Sequence, residues 1–332
     1  MSSSTFRVER LIRGGHQQEG NTMAPTLTAS AVPGRPAAVT TVPKELVHRA
    51  NAVEVWLTDW HRADDLNFTV TARLPQHHGF FTAVDGCHDP LMVAETIRQA
   101  GILLAHAEFE VPLGHQFLMW DLTVDIAPEH LAVGTAPADV EIEVTCTDVK
   151  RRGVNLAGMH YAAVIRRDGQ VAATGAATFT CASPAVYRRL RANSIGDDVP
   201  APLPLTSPLA PQDVGRISPT DVVLSPAQKK DSWQLRVDTR HPILFDHPVD
   251  HVPGMLLLEA ARQASAAFLG HPCLPVGITG EFSRYAELDA RCTIEVCGLP
   301  EDPHGRNRVL VTGHQDDLQV FSAVVTTVPA ED

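Results

Sequence analysis

The chain has 332 residues, 44% of them hydrophobic, and a formal net charge of -12. That length accommodates two ordinary domains with a sizeable core, and the acidity leaves no phosphate-neutralising field, which argues against nonspecific nucleic-acid binding. No apolar run approaches the ~18 residues of a membrane span, the first residues lack an apolar signal core, and the six cysteines form no CxxC pair, so a reducing, cytoplasmic protein without zinc-ribbon or redox motifs is expected.

Residues 1–40 are rich in Ser, Thr, Gly, Gln, Pro and Ala without an apolar period, and are expected to form a disordered extension. From Pro43 the composition changes. Glu45 to Leu57 suits a short segment followed by a strand, and Asn67 to Arg73 alternates in strand fashion. Asp89 and Pro90 supply an N-cap and an N1 proline for a helix from about Leu91 to Ala107. Within it, Glu95, Arg98 and Gln99 share one face by their i, i+3, i+4 spacing. Strand-like runs follow at Phe117 to Ile126, Val140 to Val149, Ala157 to Arg166 and Val171 to Cys181, with Asp168-Gly169 as a hairpin signal. Pro184 to about Pro211 reads as a semi-extended, proline-rich linker.

After the linker the pattern begins again. Val214-Gly215-Arg216 and Asp221 to Leu224 echo Val47-His48-Arg49 and Glu54 to Leu57, and Trp233 to Val237 echoes Phe68 to Ala72. His241 precedes Glu259 by eighteen residues, as His77 precedes Glu95, and Phe245 and Phe81 also hold equal offsets. The stretch from Asp246 to Ala264 opens with His247 and His251 in a proline-broken segment. Pro253-Gly254 then leads into Met255, Leu256, Leu257 and Leu258, a run with no polar face, as in a fully buried helix. Glu259, Arg262 and Gln263 interrupt it on one face. Strands are expected around Gly280 to Tyr285, Arg291 to Gly298, Arg308 to His314 and Val320 to Val328. An internal duplication of a buried helix followed by long antiparallel strands implies an α+β fold, each helix wrapped by a curved sheet. The two sheets would join edge to edge or stack, with sites at the seam.

These stretches carry a resemblance. DHPVDHVPGMLLLEAARQA, together with VPKELVHRANAVEVWLTDW, HDPLMVAETIRQAG and VPLGHQFLMWDL, resembles AfsA-type A-factor (γ-butyrolactone) biosynthesis proteins from Pro43 to Val328. The resemblance implies a double hotdog: a first domain over 41–184, a linker over 185–212 and a second domain over 213–330. It implies an acyltransferase that moves a β-ketoacyl group from the phosphopantetheine thioester of an acyl carrier protein to the hydroxyl of dihydroxyacetone phosphate. The product is committed to a butenolide and so to a γ-butyrolactone signal that regulates secondary metabolism. No nucleic acid, membrane, cofactor or metal is implied, and the chain is expected as a monomeric pseudo-dimer or a homodimer. A more distant similarity is to hotdog dehydratases, in which a histidine precedes a Pro-Gly turn and a glutamate follows that glycine by five residues. This chain keeps Asp246-His247-Pro248, Pro253-Gly254 and Glu259, but its shorter His-to-Gly segment leaves His247 and His251 as alternatives. The first half has Asp89-Pro90 in place of the turn.

For acyl transfer, Gly254 offers a backbone N–H and a positive helix end to the thioester carbonyl oxygen. Glu259 is the first candidate for the base, with His247 or His251 sharing that role or orienting the thioester. The competing reading makes Glu259 a structural partner of Arg262. Arg262 suits bidentate phosphate binding, with Arg284 and Arg291 as further candidates. Glu95 and Arg98 either complete the site or form its structural twin, the second being preferred. Asp246, His247, Asp250 and His251 admit a metal by residue type, but none is assigned, because prolines flank the histidines and prevent a helical ligand pair. Arg188, Arg189 and Arg191 form a candidate basic patch for an acidic carrier protein. A dehydratase or thioesterase on the same fold is the alternative, and a non-catalytic acyl-binding regulator the alternative of another class. Against the regulator stands the absence of a recognisable DNA-reading module or basic field.

Overall fold

The structure, a computed structural model, describes residues 40–192 and 201–330. All but the last residue of the expected N-terminal extension, and the centre of the expected linker, lie outside the described residues. The first half contributes β1 (Leu57–Arg62), β2 (Asn67–Leu74), α1 (Pro90–Ala107), β3 (Gln116–Ile126), β4 (Ala138–Arg152), β5 (Asn155–Arg167) and β6 (Gln170–Ala182). A short helix α2 (Pro184–Arg191) follows. The second half supplies β7 (Leu224–Pro226), β8 (Ser232–Leu235), α3 (Gly254–Leu269), β9 (Cys273–Phe282), β10 (Thr293–Leu299), β11 (Asn307–Gln315) and β12 (Leu318–Pro329).

The twelve strands of the described residues belong to one antiparallel sheet in the order β1-β2-β4-β5-β6-β3-β9-β12-β11-β10-β8-β7. Read from either edge inwards, the two halves follow the same path. The duplication is therefore topological as well as textual, and the halves join edge to edge where Asp121–Asp125 of β3 pairs with Gly277–Glu281 of β9. Strands that cover a helix alternate in burial, as β2 and β4 do, because successive side chains point to opposite faces. The apolar text of α1 and α3 is buried on almost every side. This is the hotdog arrangement twice over. At Gly280 a Cβ would stand 2.6 Å from Leu258 Cδ2, so the glycine lets α3 lie close against the central strands. Among the described residues no helix is long and apolar enough to cross a membrane.

Two expectations need correction. The first eight residues of the stretch read as a linker are helical: Pro184 occupies N1, Ser183 accepts a hydrogen bond from Val186 N, and Tyr187 and Arg191 face inward one turn apart. The equal eighteen-residue spacing also selects the wrong histidine. His78 Nδ1 accepts from Phe80 N and Phe81 N, and its Nε2 meets Glu54 at 3.0 Å. His241 repeats this pattern with Ile243 N, Leu244 N and Asp221. The counterpart of His241 is therefore His78, and the first half is one residue shorter between histidine and glutamate.

Candidate active site

Each long helix carries a buried carboxylate held by two guanidinium groups and an amide. Glu95 accepts from Arg49 (3.0 Å to Nε, 2.7 Å to Nη2), Arg98 (2.7 and 2.8 Å) and Gln99 (2.8 Å). Glu259 accepts from Arg216 (2.8 and 2.5 Å), Arg262 (3.0 and 2.7 Å) and Gln263. Both carboxylates are fully buried. Burial alone would raise their pKa values, but the paired arginines outweigh it and hold both at about 2. One carboxylate between two guanidiniums leaves a surplus positive charge, and each cluster has a further aspartate near it. Asp246 Oδ2 lies 3.6 Å from Arg49 Nη1, and Asp89 Oδ2 lies 3.6 Å from Arg216 Nη1.

The position of that aspartate separates the two copies. Asp89 is the N-cap of α1, and its Oδ1 accepts from Leu91 N at 2.8 Å. Pro90 has no N–H, so the helix end beside the Glu259 cluster is chemically filled. Asp246 lies in the loop before α3. Its Oδ1 is 2.5 Å from His247 Nδ1 and its Oδ2 accepts from Ala50 N at 2.9 Å. The N-cap of α3 is Pro253, without a side-chain hydrogen bond, and the N–H groups of Gly254 and Met255 have no acceptor among the described residues. The α3 end is thus open, and a cavity of about 340 Å³ lies against it.

Both halves line this cavity. His48, Arg98, Phe117 and Tyr161 come from the first; Asp246, His247, His251, Gly254 and Arg284 come from the second. Asp246 is almost fully buried while His247 is half exposed. Burial opposes the charge on Asp246, yet His247, Arg49 and Ala50 N hold its carboxyl below the ordinary range. A buried carboxylate on Nδ1 keeps the proton there and leaves the Nε2 lone pair for chemistry. His251 makes a second such pair with Asp250, 2.6 Å from its Nδ1. Asp250 is additionally bound by Tyr187 Oη and Arg191, which stiffens the loop between the two histidines. Among the described residues no three His, Cys, Asp or Glu side chains are arranged to hold a metal.

A third histidine is fixed by its neighbours. His106 Nδ1 lies 2.6 Å from Val111 O, so that nitrogen carries the proton and Nε2 is an acceptor. His48 Nε2, 2.8 Å away, must then donate, which leaves the His48 Nδ1 lone pair without a partner among the described residues. Burial first, then His106, Arg98 and His247, pushes His48 down to about 3, so it stays neutral. Its φ of 54° is left-handed, where its counterpart is Gly215 at 64°.

The expected site residues therefore divide. Gly254, His247, His251, Arg284 and Arg98 line the cavity, and Glu95 lies behind Arg98 and orients it. Glu259 and Arg262 do not reach it. A carboxylate saturated by arginines, fully buried and held at about 2 is not a proton acceptor at neutral pH, and Arg262 is spent on that carboxylate. Their geometry fits the structural reading, and of the first-half pair Arg98 lines the cavity while Glu95 does not. Arg291 lines a separate space of about 20 Å³. Arg191, read as part of a basic patch, is 2% exposed and braces Glu287 and Asp250. Arg49 and His48 were absent from the expected set, and Asp246 entered it only through its motif and as a metal-ligand type. Arg49 was visible as the repeated arginine before each helix, and His48 as the residue that breaks the echo with Gly215.

Comparison with known proteins adds the following. The A-factor biosynthesis hotdog domain, AfsA, matches residues 31–183 and 198–330. A Streptomyces virginiae protein named 2-oxo-3-(phosphooxy)propyl 3-oxoalkanoate synthase is 55% identical over 288 residues, 86% of this chain and 97% of that one. A Streptomyces coelicolor protein of the same name is 44% identical over 282 residues, 84% and 89% of the two chains. Among solved structures, a Lactobacillus plantarum protein described as an oleoyl thioesterase superposes with a TM-score of 0.50 at 14% identity, covering 81% of this chain and 99% of that one. That last likeness concerns the fold alone.

Proposed function

The chain belongs to the A-factor biosynthesis hotdog family, and on that premise we propose that it is the acyltransferase that forms 2-oxo-3-(phosphooxy)propyl 3-oxoalkanoate. The donor is a 3-oxoacyl thioester on an acyl carrier protein and the acceptor is dihydroxyacetone phosphate. The observation that carries the reading is one cavity joining an open helix N-terminus, an Asp–His pair and guanidinium groups from both halves.

The thioester carbonyl oxygen accepts from Gly254 N–H and Met255 N–H, at the positive end of α3. His247 Nε2 takes the proton of the acceptor's primary hydroxyl as its oxygen attacks the thioester carbon. Asp246 stays ionised and stabilises the imidazolium. The tetrahedral intermediate collapses with cleavage of the C–S bond, and the departing thiolate receives the proton from His247. An ester and a free thiol result, and no redox step is involved. Arg98 presents Nη1, which has no acceptor among the described residues, and Arg284 has no carboxylate partner among them; both suit the phosphate. None of the six cysteines lines the cavity, which favours direct transfer over a thiol-bound intermediate. The walls formed by Met255, Leu258, Phe117, Tyr161 and Phe179 suit the acyl chain.

The test is mass spectrometry of products from purified protein, a 3-oxoacyl carrier thioester and dihydroxyacetone phosphate. The phosphorylated ester is expected, with turnover reduced by roughly 10²–10⁴ in His247→Ala and strongly in Asp246→Asn. Free 3-oxo acid as the main product would move the protein to hydrolysis and contradict the reading.

A further inference from the structure

A short helix fastened beside the cavity has a charge opposite to that of the whole chain. The protein carries a net -12, yet α2 reads PAVYRRLR, with three arginines and no acid. This helix is fastened to the rim. Tyr187 Oη donates to Asp250 (2.7 Å), Arg191 binds Glu287 (2.7 Å from both Nη1 and Nη2), and the Arg191 guanidinium stacks over Tyr285, 4.2 Å from the ring centre. Tyr285 and His251 both line the cavity, and Arg284 is the next residue in the chain. The inward face of α2 is therefore occupied by Tyr187 and Arg191. Its outward face presents Arg188 and Arg189, both exposed and neither ion-paired among the described residues, with Val186 and Leu190 exposed beside them. Arg284, also exposed and without a carboxylate partner among the described residues, stands at the cavity itself. The carboxylates packed closest, Asp250 and Glu287, are already engaged by Arg191 and His251.

We propose that the outward face of α2, beside the cavity mouth, is the docking surface for the acidic acyl carrier protein. This rests on the transferase reading and adds where the donor sits. A carrier with an acidic helix would pair with Arg188 and Arg189, cover Leu190, and feed its phosphopantetheine arm past Arg284 towards Gly254. A basic helix face on an acidic protein steers an acidic partner towards that face, so its effect falls mainly on association and its salt dependence. Arg191 has no part in the contact; it holds the helix in place.

The test compares Arg188→Glu/Arg189→Glu with the unaltered protein in two measurements. One is the affinity for fluorescently labelled holo-carrier protein as a function of salt. The other is transfer to dihydroxyacetone phosphate from a 3-oxoacyl carrier, a 3-oxoacyl coenzyme A and a 3-oxoacyl N-acetylcysteamine thioester. The proposal expects carrier affinity and carrier-dependent kcat/KM to fall at least about tenfold, with a flatter salt dependence, while the N-acetylcysteamine reaction is unchanged. Unchanged carrier affinity, or an equal loss with the N-acetylcysteamine or coenzyme A thioester, would overturn it. If the unaltered protein bound carrier through these arginines but made no ester, the docking surface would stand and the transferase reading would fall. Ester formation from small thioesters without carrier binding would do the reverse.

Discussion

Glu95 and Glu259 have equivalent partners, and both are held at about 2 against an ordinary 4.5, so their contribution to stability can be followed with pH. A carboxylate depressed on folding stabilises the fold above its unfolded pKa, and that contribution is lost as pH falls from about 4.5 through about 2. Buried neutral histidines act in the same direction at higher pH. His88 is pushed to about 4 and His48 to about 3 by burial, so the unfolded chain takes up their protons first, starting near 6.5. Asp89 has the opposite sign, because burial raises its pKa and protonation relieves it. Four of these five effects descend together, each with a slope of up to about 1.4 kcal/mol per pH unit. Urea denaturation is expected to show stability falling from pH 6.5 to 4.5 and more steeply below. His88→Asn should flatten only the upper limb; a flat profile between 6.5 and 4.5 would contradict the buried neutral state of these histidines. At this scale the paired polar clusters were legible from helical spacing. Their state was not, because Arg49 and Arg216, which complete them, stand 46 and 43 residues away in the chain.

The helices were readable from apolar text, N-cap and proline, whereas α2 was hidden by the proline-rich composition around it. Its stabilising partners, Asp250 and Glu287, lie 59 and 96 residues from Arg191. Gly101 shows a further packing constraint on α1. A Cβ there would stand 2.3 Å from Tyr161 Cζ, and Tyr161 is 1% exposed with its hydroxyl bonded to Ile97 O at 3.1 Å. That hydrogen bond holds the ring against α1, which is itself enclosed by strands. Gly101→Ala is therefore expected to lose about 1–3 kcal/mol by overpacking, despite the higher helix propensity of alanine. Combining it with Tyr161→Val should recover most of the loss, as contacting residues couple. Chemical denaturation of the four proteins in the cycle measures this. Additive effects would contradict the contact.

The palindromic strand order makes the chain two copies of one unit, and the duplication was legible from repeated residues alone. Which copy opens onto the cavity was not. Glu-x-x-Arg-Gln-Ala occurs in both helices, and the asymmetry lies in the residues that precede them. Asp89-Pro90 caps and closes one helix end; Pro253-Gly254 leaves the other open, and Asp246-His247 stands beside it. The loop carrying Asp246 reaches Arg49 and Ala50 across the two halves, so the site depends on their union. A crystal structure with a 3-oxoacyl pantetheine analogue, a methylene replacing the thioester sulfur, tests this most directly. The carbonyl oxygen is expected within hydrogen-bond distance of Gly254 N–H and Met255 N–H, with His247 beside the reacting carbon and the chain against Phe117 and Tyr161. A ligand seated instead among Asp89, Arg216 and Arg262, with the α3 end empty, would contradict the assignment of the working site to this copy.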